Sequence, residues 1–225
     1  MKLSNETVTV LKNFSTINQN LVIKSGNSIS TMSAMKNIVA KAKVSETFPK
    51  DFAIYDLNEF LAALSVFDKP DLDFKEDFVM ITESNSTLKY WYSDPSVVTT
   101  PTKEITMPSC EVSFSLSEYI LSDIQKTAAV IGVPDMVLTN SKHGGADFKV
   151  TDKKNDTSNS YSISFDTNIK DQGANYSFWF KVENLKLLPV TYDVKISSKN
   201  ISHFKNTKVD IEYWIALEPE SKYNG

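Results

Sequence analysis

Few residues in this sequence are of the types that catalyse reactions or bind metal ions. The chain has two histidines, His143 and His203, and one cysteine, Cys110, with no close spacing among them. A zinc site requires clustered nitrogen or sulfur ligands, so this spacing argues against one. Cys110 borders a predicted strand and has no sequence neighbour that would lower its pKa, which is typical of a small buried residue.

An acidic segment is the other candidate site for a cation. Asp71 and Asp73 are separated by one residue, and Glu76 and Asp77 follow closely. Such a pair can bind a divalent ion, as in sugar-nucleotide enzymes, but a solvated acidic loop is the stronger interpretation. The sequence has no G-x-S-x-G motif, Walker loop or dinucleotide fingerprint, and its six glycines leave few places where backbone could cradle phosphate. It therefore predicts no enzyme, no metal site and no cofactor.

The basic residues are unusual, because all 24 are lysines while the net charge is −4. Arginine is the usual residue for reading guanine and for clamping carboxylates, so its absence argues against sequence-specific DNA recognition. Diffuse attraction between lysine and phosphate is still available. Codon bias in an AT-rich genome is the simpler explanation of the missing arginines. A net-negative protein that binds nucleic acid must concentrate its lysines on one face.

The first element that could carry such lysines is a helix over about residues 4 to 18. Ser4 is a suitable N-cap, and Glu6 lies in the first turn, where the helix dipole favours an acid. One apolar stripe at helical spacing would face the core: Val8, Leu11, Phe14 and Ile17. Lys12 falls on the polar side of this helix.

The stretch DFAIYDLNEFLAAL, residues 51 to 64, changes its period in the middle. Asp51–Tyr55 is β-prone, whereas the apolar residues from Leu57 onward follow helical spacing. This predicts a strand that runs directly into a short helix ending near Phe67. The junction offers acids and amides but no nucleophile, histidine or glycine loop, so it predicts a structural unit and not a catalytic one.

The second half of the chain repeats this order of elements, although identity between the halves is weak. A long helix from Leu116 to Ile131 has an apolar face that includes Tyr119, and Gly132 with Pro134 would end it. A strand at Tyr176–Lys181 again turns into a short helix. That helix carries Lys186 and ends before Pro189.

A linker separates the two halves at about residues 93–108, which contain three prolines and four threonines with little periodicity. The predicted domains are therefore residues 1–104 and 105–225. The predicted strands and helices give an α+β fold of two similar domains. One cysteine favours a reducing compartment, and there is neither a signal peptide nor an apolar run of about 18 residues, so a soluble intracellular protein is expected.

Lysines recur on corresponding helices of the two halves. Lys12 and Lys126 lie on the polar sides of the two long helices, Lys186 lies on the second short helix, and Lys2 precedes the first long helix. Each one alone is best explained as an ordinary surface lysine, but their recurrence favours a shared basic face. The first short helix departs from this pattern, because it carries Glu59 and no lysine.

Four segments carry a resemblance to a known family. The opening MKLS…LKNFSTIN, the stretch FAIYDLNEFLAALS, the sequence YWYSDPS before the linker and the closing YWIALEPES resemble the sliding clamps of T4-type bacteriophages, in order and from end to end. The resemblance implies the DNA-clamp fold: a closed homotrimeric ring in which each subunit has two similar domains. Antiparallel sheets would form the outside and four helices would line the central hole.

The same resemblance implies the functional residues. Lys2, Lys12, Lys126 and Lys186 would face DNA, although Ala129 stands where family members often have a second basic residue one turn past Lys126. A pocket for the C-terminal tail of the phage DNA polymerase would be formed on the linker and the last strand, by these residues: Ile105, Met107, Pro108, Trp214, Ala216 and Leu217.

The resemblance further implies the partners and the location. They are double-stranded DNA bound without sequence preference, the replicative DNA polymerase, an ATP-driven clamp loader, and a late-transcription sigma factor with its co-activator. The protein would act in the cytoplasm of the infected bacterial host, with no membrane contact. The competing interpretation is a phage structural β-protein of the tail or capsid decoration, which the Ser-, Thr- and Asn-rich strands would suit but the lysine-bearing helices would not.

Overall fold

The computed structural model describes residues 1–101, 104–142, 144–169, 173–206 and 208–224, so His143 lies outside the described residues. The chain divides into two compact units. The first comprises residues 1–104 with 208–211, and the second comprises residues 105–207 with 212–225.

The first unit combines two α-helices with two antiparallel sheets, ordered β4-β1-β2-β3 and β5-β6-β7. Its helices are α1 (Asn5–Ile17) and α2 (Leu57–Ser65), and a 3-10 turn covers Pro95–Val97. Its strands are β1 (Leu21–Ile23), β2 (Gly26–Met32), β3 (Ile38–Phe48), β4 (Phe52–Ile54), β5 (Asp71–Phe74), β6 (Phe78–Glu83) and β7 (Ser86–Trp91).

The second unit has one α-helix, α3 (Glu118–Ile131), and strands in the orders β12-β8-β14-β15-β16 and β11-β10-β9-β13-β17. Its strands are β8 (Val112–Leu116), β9 (Asp135–Asn140), β10 (Ala146–Thr151), β11 (Tyr161–Phe165), β12 (Asn168–Ile169), β13 (Asn175–Lys181), β14 (Tyr192–Ser197), β15 (Ile201–Asn206), β16 (Ile211–Ala216) and β17 (Lys222–Asn224).

Alternation of side chains along the strands places one sheet face in the core of each unit. In β3 the buried residues Ile38, Ala40 and Ala42 alternate with Val39 and Lys41, which remain partly exposed. In the second unit the aromatic residues of neighbouring elements pack together, as in the cluster of Phe114, Phe148 and Phe165. Each helix then covers a sheet with its own apolar stripe.

The strand-to-helix junction of residues 51–64 forms as the change of period predicts. β4 ends at Ile54, and Asp56 caps α2 by accepting hydrogen bonds from the backbone N–H groups of Asn58 (2.9 Å) and Glu59 (3.1 Å). The buried face of α2 consists of Leu57, Phe60, Leu61 and Leu64.

The fourth predicted helix, over about residues 182–188, does not form. The structure has three α-helices among the described residues, and a 3-10 turn at Val182–Asn184 stands where the fourth was expected. Tertiary hydrogen bonds compete with helix formation here: the carbonyl of Leu185 accepts from the Gln125 amide (2.7 Å), and the N–H of Leu188 donates to the Tyr213 hydroxyl (3.3 Å). Pro189 also disfavours helical backbone at the residue before it.

The predicted apolar face of α3 differs from the observed one, since it comprised Leu116, Tyr119, Ile120, Ile124, Ala128 and Ile131, of which Leu116 belongs to β8 and Ile120 and Ile131 are only partly buried. Leu121, Ile124 and Ala128 are buried, but Tyr119 is 72% exposed. The Ser117 hydroxyl accepts from the Ile120 N–H (3.3 Å) and so fixes where the helix begins. From that start the helical repeat directs residue 119 away from the stripe that packs on the sheet.

Candidate functional site

Lys12 lies on the exposed side of α1, opposite the buried stripe of that helix. The stripe that packs against the sheet comprises Thr7, Val10, Leu11, Phe14 and Ile17, while Val8 is only partly buried. The Ser4 hydroxyl caps the helix by accepting from the Thr7 N–H at 3.2 Å. Lys12 therefore projects into solvent from a helix whose rotation is fixed by five buried side chains.

A carboxylate from β3 holds the N-terminal end of α1. Glu46 accepts hydrogen bonds from the Ser4 N–H and from the Thr7 hydroxyl. Partial burial works against ionisation of Glu46, but these hydrogen bonds outweigh it and hold the pKa of the carboxyl below its usual value. Sequence reasoning missed this residue, because it lies 42 residues from Ser4 and no local pattern marks the contact.

Lys126 lies on the corresponding exposed side of α3. The helix ends at Gly132, whose φ of 68° is the left-handed conformation that glycine accommodates readily. Ala129, one turn further along, is also exposed. This helix face thus offers a cation at position 126 and an apolar methyl group at position 129.

The exposed side of α2 has no basic residue, in agreement with its sequence. Asn58, Glu59 and Ala62 are exposed there. The helix is held by Tyr90 of β7, whose hydroxyl donates to the carbonyl of Asp56 (3.2 Å) and whose ring packs edge-on against Phe60 (5.1 Å between centroids). Burial, with Glu59 and Asp56 nearby, raises the pKa of Tyr90 to about 12, so this tyrosine stays neutral.

The other two lysines predicted to face DNA are Lys2 and Lys186; the first is close to an acid and the second is partly buried. Lys2 is exposed, but its ammonium group lies 3.7 Å from the carboxylate of Asp71. A surface pair of this kind is weak and screened by salt, so it does not prevent Lys2 from binding another anion. Lys186 is partly buried and follows the 3-10 turn, because the helix predicted to carry it does not form.

The residues of the predicted tail pocket differ in accessibility. Ile105 and Met107 are partly exposed and Pro108 is exposed. Strand alternation puts Trp214 and Ala216 on one face of β16. Leu217, just after the strand, is only 6% exposed, and its N–H donates to the carbonyl of Asn200 at 3.0 Å. Leu217 thus contributes to the core at this point.

Trp214 is packed against a histidine on the neighbouring strand. The ring of His203 stacks on Trp214 with 4.8 Å between centroids, and His203 Nε2 lies 3.0 Å from Glu212 Oε2. Burial lowers the pKa of His203, although Glu212 opposes that shift. The indole N–H of Trp214 is buried without a hydrogen-bond partner among the described residues.

The described part of the chain has neither a cluster of metal ligands nor a membrane-spanning helix. No group of three or more His, Cys, Asp or Glu side chains could hold a metal ion there. No helix in the described ranges is long and apolar enough to cross a membrane.

Comparison with known proteins agrees with the arrangement of helices and sheets described above. The family described as DNA polymerase processivity factor matches residues 4–100. The sliding clamp of Vibrio phage KVP40 is 33% identical to this chain, over 97% of this chain and 99% of the relative. This chain belongs to the sliding-clamp family of T4-type phages. The sliding clamps of Enterobacteria phage T4 (31% identical) and Escherichia phage RB69 (28% identical) are covered over their full length and over all of this chain.

Solved structures show the same fold at low sequence identity. The proliferating cell nuclear antigen (PCNA) of Thermococcus kodakaraensis superposes with a TM-score of 0.72 at 13% identity, over 97% of this chain and 99% of that one. The PCNA of A. fulgidus, solved with the C-terminal region of FEN-1 bound, gives a TM-score of 0.69 at 12% identity over 98% of both chains. The fold is therefore the DNA-clamp fold.

Family membership identifies the protein as a processivity factor for a phage DNA polymerase. Sliding clamps are non-enzymatic scaffolds, so this protein is not an enzyme.

Proposed function

We propose that three copies of this chain close into a ring that encircles duplex DNA and tethers the phage replicative polymerase to it. One observation carries the proposal: α1 and α3 each present an exposed lysine, Lys12 and Lys126, on the side opposite their buried stripe. Each of the two units contains one of these helices, so a trimer would present six of them.

The charge balance suits a sliding protein. A ring bound by topology needs no base contacts and no high affinity, and a few mobile lysines neutralise phosphate loosely. Tight contacts would hinder movement along the duplex. Lysines concentrated in the hole, with acidic residues elsewhere, reconcile DNA binding with the net charge of −4. Lys186 and Lys2 are the further DNA-facing candidates.

Ring closure needs two different surfaces on each subunit, because head-to-tail contacts generate a cyclic trimer. Two sheet edges suit this purpose. Among the described residues, no strand pairs with the outer edge of β7 in the first unit or of β11 in the second. The outer edge of β5 is partly covered, since Met1 and Leu72 exchange two backbone hydrogen bonds of 2.8 Å. Pairing β7 with β11 of the next subunit would protect both edges.

An exposed aromatic residue at the end of β7 supports this assignment. Trp91 is 61% exposed and packs against Phe78 at 5.2 Å between ring centroids. The ammonium group of Lys89 lies 4.3 Å from the Phe78 centroid and 5.0 Å from the Trp91 centroid. Aromatic side chains are enriched at surfaces that are buried in an assembly.

The polymerase would bind through its C-terminal tail to the surface that includes Met107, Pro108, Trp214 and Ala216, with Ile105 beside them. Support comes from the fold relative solved with the C-terminal region of FEN-1 bound. We further propose that an ATP-driven loader opens the ring, that late-transcription proteins use the same clamp, and that it acts in the cytoplasm of the infected bacterium.

Solution mass tests the ring directly. Light scattering on a size-exclusion column, over a range of protein concentrations, should give about 76 kDa, three times the 25.3 kDa subunit. A mass of one subunit at every concentration would contradict a ring that closes unaided. A mass of two subunits would contradict the three-fold arrangement.

A further inference from the structure

Tyr119 is exposed on a helix where its sequence pattern predicts burial. The side chain is 72% exposed. A single exposed aromatic residue is common on protein surfaces, so exposure alone carries no functional argument. The position of Tyr119 relative to Lys126 carries the argument.

Tyr119 and Lys126 share one face of α3. They are seven residues apart, which places them within about 20° of each other around the axis and about 10 Å apart along it. Leu121, Ile124 and Ala128 form the buried stripe on the opposite side. A duplex that contacts Lys126 therefore lies within reach of Tyr119 as well.

A neutral hydrogen-bond donor is compatible with the charges on the exposed face of α3. Asp123 lies between Tyr119 and Lys126, but its carboxylate accepts a hydrogen bond from the Tyr161 hydroxyl of β11. Ala129 and Val130, the latter 85% exposed, offer no polar group beyond Lys126. Lys126 is the one cation on this face in the described residues, so any second phosphate contact made here would come from an uncharged side chain.

We propose that Tyr119 is a DNA-positioning residue whose phenolic hydroxyl donates a hydrogen bond to a phosphate oxygen of the encircled duplex. The inference rests on the proposed function, which assigns α3 to the DNA side. Tyrosine is among the side chains that bind phosphate and fix register without reading sequence. In an intact duplex the bases are stacked, so the hydroxyl and not the ring face makes the contact.

A neutral hydrogen-bond donor and a lysine affect the salt dependence of DNA affinity differently. Lysine that neutralises a phosphate releases counterions, and each such contact steepens the plot of log affinity against log salt by about 0.9. A tyrosine hydroxyl releases none. Removing the hydroxyl should therefore lower affinity at every salt concentration and leave the slope unchanged, whereas removing Lys126 should change both.

The experiment measures binding of the full-length protein to a short, fluorescently labelled linear duplex, onto which a ring can thread from an end, by anisotropy at several salt concentrations. Tyr119→Phe should weaken binding about two- to tenfold, the range for one hydrogen bond, with the slope unchanged. Tyr119→Lys should strengthen binding and steepen the slope. Tyr55→Phe, at another exposed tyrosine outside α1 and α3, is the matched control and should match the unmodified protein.

The outcomes separate this inference from the proposed function. If Lys126→Ala makes the slope shallower while both Tyr119 variants behave like the control, the inference is wrong and the DNA-facing assignment of α3 stands. If neither Lys126→Ala nor the Tyr119 variants change binding, the assignment of α3 itself is wrong. A change of solution mass in Tyr119→Phe would assign the hydroxyl to contacts between subunits and overturn the inference.

Discussion

Glu46 accepts a hydrogen bond from the backbone N–H of Ser4, the residue that caps α1. The same carboxylate accepts from the Thr7 hydroxyl in the first turn. One side chain of β3 thus satisfies donors at the end of the helix that carries Lys12. The helix end, and with it the direction of Lys12, is coupled to the sheet through this contact.

Replacing Glu46 with Gln should destabilise the protein by about 1 kcal/mol, because an amide accepts these hydrogen bonds less strongly than a carboxylate does. The pKa of Glu46 is lower in the folded than in the unfolded protein, where 4.5 is the reference value. Its contribution is therefore complete above pH 4.5 and is lost as pH falls through the lower, folded-state pKa.

Urea unfolding between pH 3 and pH 7 checks this, with Glu76→Gln as the control, because Glu76 is an exposed acid outside the helices. The difference in free energy of unfolding between the Glu46 variant and the unmodified protein should shrink at the acid end. A difference that is independent of pH, or equal in the control, would rule out the carboxylate as the cause.

Charge reversal of Lys12, Lys126 and Lys186 to Glu should impair retention on DNA while leaving the fold intact. Lys12 and Lys126 are exposed, so reversing their charges removes no core contact; Lys186 is partly buried and is best also tested alone. Retention and processive synthesis should fall, and circular dichroism should be unchanged. Full processivity in a folded triple variant would show that these lysines do not face the duplex.

Replacing both Met107 and Ala216 with aspartate should abolish stimulation of the polymerase and leave the trimer intact. Both side chains are at least partly exposed, so a carboxylate there remains hydrated in the free protein and opposes docking of an apolar tail. Leu217 is a poor choice for this test, because it is 6% exposed and an acid there would unfold the site. Stimulation assays and solution mass check the two effects separately. Normal stimulation would show that the polymerase C-terminal tail binds at another site.

Replacing Trp91 with arginine should shift the oligomeric state from trimer towards monomer. The side chain is 61% exposed, so the subunit tolerates the change, whereas a buried charge at a subunit contact is costly. Tyr55→Arg, at an exposed aromatic outside β7, is the control and should leave the mass unaltered. Light scattering at low protein concentration distinguishes the two variants. An unaltered mass for the Trp91 variant would exclude this end of β7 from the ring contact.

The sequence predicts local elements of this protein well, because their signals are local. Ser4 caps α1 as its sequence indicates, and the change of period after Tyr55 produces the strand-to-helix junction. The fourth helix fails because Leu185 and Leu188 make tertiary hydrogen bonds that no local pattern encodes.

The candidate site is only partly predictable for the same reason. Apolar spacing placed Tyr119 with the core, yet the exact start of α3 at Ser117 turns that side chain outward. Leu217 resembles a pocket residue in sequence but is buried just after β16 ends. The contact of Glu46 with Ser4 joins segments that only the folded chain brings together.

Retention on DNA of different topology tests most directly whether the protein holds DNA by encircling it. The protein is loaded with the phage clamp loader and ATP onto nicked circular DNA, separated from free protein, and measured before and after a single cut by a restriction enzyme. We predict that it stays on the circle at high salt and leaves once the DNA is linear, because a ring slides off a free end. Equal retention on circular and linear DNA, or loss from both at the same rate, would contradict encirclement.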